Sequence, residues 1–360
     1  MRIGVDAREL VGRPTGVGRY LGGLLAGWSR LDAGAGCTFV LYAPEPVPTV
    51  PPGRFVTRVL PGQGGTWWEQ VTLANALAAD GLDVFFSPAY TAPMRTSVPV
   101  VVAIHDISFV AHPEWFTVRE GVRRRWVTAQ SARRARTIVT ISDFTRRELV
   151  ERMGIDANRI VVIPPGVGRV ANDGGPRAGG VLYVGSIFNR RHVPDLIRGF
   201  APLARRFPTL TLDIVGDNRS HPHQDLLGII ASEGLTAQAR WRSYVPDETL
   251  HALYASARAF AFLSEYEGLG LTPLEALASG VPVVVLDTPV ARESCGDAAL
   301  YVAPGDVPAI SRALATALTD DATRRQLLSR ASEVLRRFDW DVAARETLQA
   351  LVAAGGGASR

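Results

Sequence analysis

The sequence predicts an α/β protein made of two doubly wound parallel-sheet domains of nearly equal size. Three observations carry this. Short, continuous apolar runs alternate with longer segments whose apolar residues recur every three or four positions, the pattern of buried parallel strands covered by helices. At 360 residues the chain is longer than one ordinary domain. Its composition breaks at 164–180, PPGVGRVANDGGPRAGG, a Gly- and Pro-rich stretch with no period.

In order, the strand candidates of the first half are 2–6 (RIGVD), 37–43, 83–86 (DVFF), 99–104 (VPVVVA), 137–141 (TIVTI) and 160–163 (IVVI). Helical spacing covers 17–30 and 143–152 between them. The second half offers strands at 181–184 (VLYV), 210–215, 258–263 (RAFAFL), 281–286 (VPVVVL) and 299–302, with helices at 193–206, 246–256 and 307–318. Two such domains are expected to turn the carboxyl ends of their strands, the usual ligand edge, toward each other across a cleft.

Composition excludes several classes. The chain is 47% hydrophobic and 21% charged, as in ordinary globular proteins. No apolar run approaches the roughly 20 residues of a membrane span. The opening Met1-Arg-Ile-Gly-Val-Asp6 reads as a strand rather than a signal peptide. Cys37 and Cys295 are far apart, which predicts a reduced, cytoplasmic setting without a Cys-based metal site. The formal charge is +4, and all 39 basic residues are arginine. Without lysine there is no Schiff-base chemistry and no Walker-type phosphate loop. Phosphate recognition by bidentate arginine remains open.

The most informative stretch is 264–285, SEYEGLGLTPLEALASGVPVVV. The strand at 258–263 leads into a loop, Ser264–Gly270, at its carboxyl end. Thr272-Pro-Leu-Glu275 then reads as a helix start, with Thr272 at N-cap, Pro273 at N1 and Glu275 at N3. On that reading Glu275 is either the reciprocal partner of a capping box or a ligand carboxylate. Glu267 lies in the turn itself. Gly268 and Gly270 let backbone N–H groups approach a ligand at the positive end of the helix, which suits a diphosphate or sugar hydroxyls.

Glu267-Gly-Leu-Gly-Leu-Thr-Pro-Leu-Glu275 resembles the paired-glutamate motif, E-x7-E, of the family 4 retaining glycosyltransferases, which have the GT-B fold of two facing Rossmann-like domains. Tyr244-Val-Pro-Asp-Glu248 before it and Ala276 through Pro282 after it resemble the same family. The resemblance extends over essentially the whole chain. Gly16-Val-Gly-Arg-Tyr20 is similar to the family's N-terminal glycine loop. Read alone, Gly16, Gly18 and Gly22 suggest a dinucleotide fingerprint, but nine residues separate them from the strand ending at Asp6, too many for that tight turn. Ala103-Ile-His-Asp106 ends a buried strand; the resemblance implies that His105 approaches the donor sugar. Val184-Gly-Ser-Ile-Phe-Asn-Arg-Arg-His192 resembles a segment that usually ends Arg-Lys-Asn, so Arg191 stands for the lysine and His192 for the asparagine. Trp67-Trp-Glu-Gln70, Ser87-Pro-Ala-Tyr90, His112-Pro-Glu-Trp115 and Ile141-Ser-Asp-Phe144 also resemble family segments and carry no assigned chemistry.

The resemblance implies an acceptor-side domain at 1–166, a linker at 167–178, a nucleotide-sugar domain at 179–338 and a C-terminal helix, 339–360, that returns to the first domain. It implies a retaining, metal-independent hexosyltransferase, with mannose from GDP-mannose as the expected donor and a glycan, lipid-linked glycan or small molecule as acceptor. Glu267, His105, Arg190 and Arg191 are the expected catalytic residues. Gly16, Gly18, Gly185, Val245, Gly268, Leu269, Gly270, Leu271, Thr272 and Glu275 are the expected donor-binding residues. The alternatives are a sugar-nucleotide epimerase of the same architecture and a non-catalytic sugar-nucleotide-binding subunit.

Three constellations are discounted. Asp339-Trp-Asp341 spells a metal-binding D-x-D, but it opens a helix with no strand behind it. His221-Pro-His223 lacks a third ligand. Arg119, Arg123–Arg125, Arg133, Arg134 and Arg136 form a basic patch that by default is a solvated helical face, and that also suits peripheral contact with anionic lipid headgroups. Nothing points to nucleic acid.

Overall fold

The computed structural model describes residues 1–12, 16–31, 36–168 and 177–356. The chain forms two compact units, Met1–Gly166 with Phe338–Arg360, and Val167–Arg337. Of the proposed linker, residues 169–176 lie outside the described residues.

The first unit is built on a seven-stranded, all-parallel sheet. Its strands are β1 (Arg2–Asp6), β2 (Thr38–Ala43), β3 (Phe55–Val59), β4 (Val84–Ser87), β5 (Val100–Ala103), β6 (Thr137–Thr140) and β7 (Ile160–Val162), in spatial order β3-β2-β1-β4-β5-β6-β7. Every residue of β4 and β5 is buried, as expected for a sheet covered on both faces. Trp28 stacks on Phe39 with ring centroids 4.8 Å apart.

The second unit holds a six-stranded parallel sheet: β8 (Val181–Val184), β9 (Leu212–Val215), β10 (Ala239–Arg242), β11 (Ala259–Phe262), β12 (Val283–Leu286) and β13 (Ala299–Val302), ordered β10-β9-β8-β11-β12-β13. The helix Val193–Arg206 covers it with an almost wholly buried apolar stripe.

Sequence patterning finds all of these strands except β3 and β10, the two outer strands on the corresponding side of each sheet. Both lack a continuous apolar run because an edge strand is only partly covered. Phe55–Val59 is largely exposed and carries Arg58, and Ala239–Arg242 alternates with arginine.

Two expectations need correction. Gly16-Val-Gly-Arg-Tyr20 is not a loop; it is the first turn of the helix Gly16–Arg30. Its glycines serve packing further along. A Cβ on Gly23 would come within 2.6 Å of the Trp340 ring, and one on Gly27 within 2.4 Å of Ala344 Cβ. The helix Trp340–Gly356 therefore seats against Gly16–Arg30, and Trp28 Nε1 donates to the Ala344 carbonyl at 2.8 Å. Asp339 Oδ1 accepts the N–H groups of Asp341 and Val342, which accounts for the D-x-D spelling as an N-cap. Nor is Thr272 an N-cap: the helix it was expected to open starts at Leu271.

Candidate active site

In the second sheet the strand order reverses between β8 and β11. The loops leaving the carboxyl ends of these neighbours run apart, which creates the ligand crevice of a doubly wound sheet. They are Gly185–His192 and Leu263–Gly270, and they carry most of the second-unit candidates.

Gly185 makes the first turn possible. It has φ +150°, and a Cβ there would lie 2.9 Å from Arg191 Nη1 and 3.1 Å from the Phe262 ring. Only glycine lets the Arg191 guanidinium fold back beneath the strand end. Arg191 donates from Nε to Glu267 Oε1 at 2.8 Å, and Nη2 lies 2.7 Å from the same oxygen. Nη1 donates to the Ser186 carbonyl at 2.7 Å. The guanidinium also lies 4.9 Å from the Phe262 ring centre and 5.5 Å from that of Phe188. Burial opposes the charge, but the Glu267 carboxylate outweighs it and holds the Arg191 pKa above its ordinary value. Arg191 is thus a fixed cation, its three nitrogens engaged by Glu267 and the Ser186 carbonyl, with the Tyr183 hydroxyl as a further hydrogen-bond partner.

Glu267 Oε1 also accepts from Ser264 Oγ at 2.7 Å. Its second oxygen, Oε2, accepts no hydrogen bond from the described residues, and the side chain is 19% exposed. One oxygen is an anchor; the other is available to a ligand. Arg190 lies over the Phe188 ring at 4.3 Å, and its carbonyl accepts the Glu265 N–H at 3.0 Å. Beneath the pair, burial pushes the Tyr183 phenol up to about 12, so it stays neutral.

The helix after Glu267 begins earlier than its sequence suggests. It spans Leu271–Ala278, and Gly270, at φ +87°, occupies the N-cap position without a side-chain cap. Thr272 and Pro273 are therefore inside the first turn, and the capping box of Thr272 with Glu275 does not form. Gly270 reaches a backbone conformation barred to most residues, which lets Leu271 take the first helical position. Thr272 Oγ1 is buried without a hydrogen-bond partner. Glu275, freed of a capping role, accepts from Tyr254 Oη at 2.9 Å through Oε2. Gly268 and Leu269 are buried in the turn, and Val245 is buried just past β10. The structure thus gathers Gly185, Arg190, Arg191 and the 267–275 stretch around one strand-end crevice.

Gly16, Gly18 and His105 belong to the first unit. His105 follows β5 and is buried, with Nε2 2.8 Å from the Pro88 carbonyl. A carbonyl only accepts, so Nε2 carries the proton. Burial holds the His105 pKa below its ordinary value, against weaker opposing effects of the Pro88 carbonyl and Asp106. The ring is neutral at pH 7, and Nδ1 is its remaining acceptor. Tyr20 packs edge-on against it at 4.7 Å.

Sequence reasoning missed Ser264, Tyr254 and the two phenylalanines that cradle Arg191. Ser264, three residues before Glu267 in the same loop, was visible as a local donor. Tyr254 joins Glu275 from the preceding helix, and nothing in the spacing announces it. Among the described residues no three His, Cys, Asp or Glu side chains converge as a metal site.

The family described as "Glycosyl transferases group 1" matches residues 178–334, and "Glycosyltransferase Family 4" matches residues 14–168. The chain is 30% identical over 288 residues to O-antigen chain mannosyltransferase B of Escherichia coli, covering 74% of this chain and 73% of that protein. It is 31% identical over 223 residues to the phosphatidyl-myo-inositol mannosyltransferase of Mycolicibacterium smegmatis, covering 59% and 55% of the two chains. In fold it is similar to sucrose-phosphate synthase from Thermosynechococcus elongatus, with a TM-score of 0.79 at 18% identity over 99% of this chain and 100% of that one.

Proposed function

We propose that this chain, which belongs to the family 4 glycosyltransferases of GT-B fold, is a retaining, metal-independent hexosyltransferase that takes mannose from GDP-mannose. The observation that carries the proposal is the division of labour on Glu267. Oε1 is locked by Arg191 and Ser264, while Oε2 is open at a strand-end crevice beside an uncapped helix N-terminus. That combination suits a ligand with sugar hydroxyls at one end and phosphate at the other.

In this reading the donor diphosphate is bound by the first-turn amides after Gly270, by Arg190 and by the positive charge of Arg191. Glu275, steadied by Tyr254, accepts from the ribose diol, and the backbone at Val245 borders the base. Glu267 Oε2 orients the sugar hydroxyls. The bond from the anomeric carbon to the diphosphate oxygen breaks. The acceptor hydroxyl oxygen attacks the same face, and its proton passes to the departing phosphate oxygen. Negative charge grows on the leaving group, so prealigned cations and amides are the main catalytic effect. Removing one such donor is expected to slow turnover by about a hundredfold or more. His105, neutral and anchored through Nε2, offers Nδ1 to a substrate hydroxyl. Mannose is favoured because the two curated relatives described above are mannosyltransferases. The acceptor is a glycan, a lipid-linked glycan or a small molecule.

The test is thermal stability with GDP, UDP, dTDP and ADP, each with and without EDTA. A nucleotide at a hundred times its dissociation constant stabilises by about 2.7 kcal/mol, which moves the midpoint by several degrees. The expected result is a shift with GDP that ignores EDTA. No shift with any nucleotide removes the donor site, and an EDTA-sensitive shift removes metal independence.

A cytoplasmic setting with peripheral attachment to anionic membrane is part of the proposal, and the helix Val118–Arg134 supports it. Its solvent face reads backwards for a soluble helix: Val118, Val122 and Trp126, at i, i+4 and i+8, are 83%, 52% and 56% exposed. Arg119, Arg123 and Arg133 share that face, an apolar ridge set among cations, as on interfacial helices. Arg119, Arg125 and Arg133 have no ion-pair partner among the described residues. No described helix is long and apolar enough to cross a membrane. The chain is expected to sediment with vesicles containing phosphatidylglycerol and not with pure phosphatidylcholine, and V122S/W126S is expected to weaken that binding. Equal sedimentation with both lipids refutes it.

A further inference from the structure

His192 ends the turn that carries Arg190 and Arg191, where the family segment usually has asparagine. Its backbone is left-handed, with φ +46°, a conformation that asparagine and histidine adopt more readily than most residues. Its carbonyl accepts the N–H groups of Asp195 and Leu196, which opens the helix Val193–Arg206. The difference from asparagine lies in the side chain. Nδ1 is 2.9 Å from Asp195 Oδ2, and Nε2 is 2.6 Å from Glu265 Oε1. Both partners are carboxylates, which only accept when ionised, so both ring nitrogens are called upon to donate. An imidazolium meets that requirement; a neutral ring meets half of it.

The consequence reaches the candidate site. Glu265 is two residues from Glu267, and its N–H already donates to the Arg190 carbonyl. The His192 ring adds a third tie between the same two loops, beside that backbone bond and the Arg191–Glu267 pair. We propose that His192 is a positioning residue: as an imidazolium it clasps the Glu265–Glu267 loop to the Arg190–Arg191 turn and makes donor binding sensitive to pH. This rests on the reading of these loops as the donor site.

The charges around the ring are consistent with such a role. From its own helix comes Asp195, whose other oxygen is held by Arg198 at 3.1 Å. From the facing loop comes Glu265, and beyond it Glu267, already paired with Arg191. Arg190 and Arg191 precede it in its own turn. The neighbouring loop, tied to Asn189 through the His221 N–H, brings His221 and the Arg219–Asp217 pair. Burial opposes protonation, but the hydrogen bonds to Asp195 and Glu265 outweigh it and raise the pKa above the ordinary histidine value. The clasp is therefore complete at low pH and is lost as pH rises through that raised value.

The test has two arms. In the first, the His192 imidazole and the Glu265 and Glu267 amides are followed by NMR across pH 5.5 to 9 in the intact chain. The expected result is one shared midpoint, moved to lower pH by E265Q, with the amide titration absent in H192N. In the second, KM and kcat for the nucleotide-sugar donor are measured over the same range. The donor KM is expected to rise above the midpoint by at most about tenfold per pH unit with little change in kcat. H192N is expected to show the raised donor KM at every pH, with kcat little changed, and so to lose this limb. Loop amides that titrate in H192N as in the wild type, or that do not follow the His192 midpoint, overturn the clasp. A shared midpoint in the first arm without any donor turnover in the second leaves the clasp standing and refutes the function assigned to the site.

Discussion

Replacing Glu267 separates the electrostatic role of this side chain from its role as a ligand. In E267A, Arg191 keeps its bond to the Ser186 carbonyl and its aromatic neighbours but loses its counter-charge, and Ser264 is left with only its longer contact to the Tyr266 carbonyl at 3.3 Å. Breaking a buried pair by removing one partner costs about 3–5 kcal/mol. The side chains are 13% and 19% exposed, so solvent relieves part of the penalty and the low end, about 3 kcal/mol, applies. E267Q keeps an oxygen for both donors and gives up only the charge. Hydrogen bonds to charged groups contribute about 1.5–3 kcal/mol and neutral ones about 0.5–1.5, so its cost is about 1.5 kcal/mol. For a unit the size of Val167–Arg337 these correspond to midpoint losses of about 6–12 °C and about 3–6 °C. Scanning calorimetry checks this, with the transition of the second unit assigned by its response to nucleotide. R191M should rescue part of the E267A loss, because it removes the stranded cation. An E267A midpoint within about 2 °C of wild type, or an R191M/E267A double variant as unstable as the two single losses added, would refute the claim that this pair holds the two loops together.

Three further outcomes follow from other positions. Gly216 has φ +154°, and a Cβ there would lie 1.9 Å from the Gly185 carbonyl oxygen, so G216A should destabilise the second unit by about 3 kcal/mol or more, read from the same calorimetric transition. The Trp340 ring fills the space left by Gly23 and Gly166, so W340A should cost about 3 kcal/mol and speed hydrogen exchange in Trp340–Gly356 while leaving the second unit unchanged. His105 has a folded pKa below that of the unfolded chain, so the unfolded state binds more protons as pH falls below about 6.5. The first unit should lose stability over that window, and H105Q should flatten the loss in a pH series of thermal melts.

Much of the fold could be read along the chain because its causes are local. A strand buried on both faces must be apolar throughout, so VVVA at Val100–Ala103 and VVVL at Val283–Leu286 declare themselves. The edge strands β3 and β10 do not, since their composition is set by a face left open, and only pairing to β2 and β9 makes them strands. Helix caps show the same limit. Thr288-Pro289 caps its helix, with Thr288 Oγ1 accepting the Ala291 N–H at 3.2 Å, whereas Thr272-Pro273 does not cap. The two pairs are alike in sequence. They differ in what precedes them, because Gly270 turns the chain early and draws Thr272 into the first turn.

By itself, then, the sequence determined the alternation of strand and helix, the doubly wound class, and the loops at which polar residues collect at strand ends. Those depend on burial and periodicity over a few neighbouring residues. Only tertiary structure decided that Arg191 answers to Glu267 across 76 positions, that Tyr254 rather than a capping box holds Glu275, and that His192 stands between two carboxylates. A charged side chain takes its partner from whatever the sheet order brings within about 3 Å. Here that order reverses between β8 and β11, which sets side by side two loops far apart along the chain.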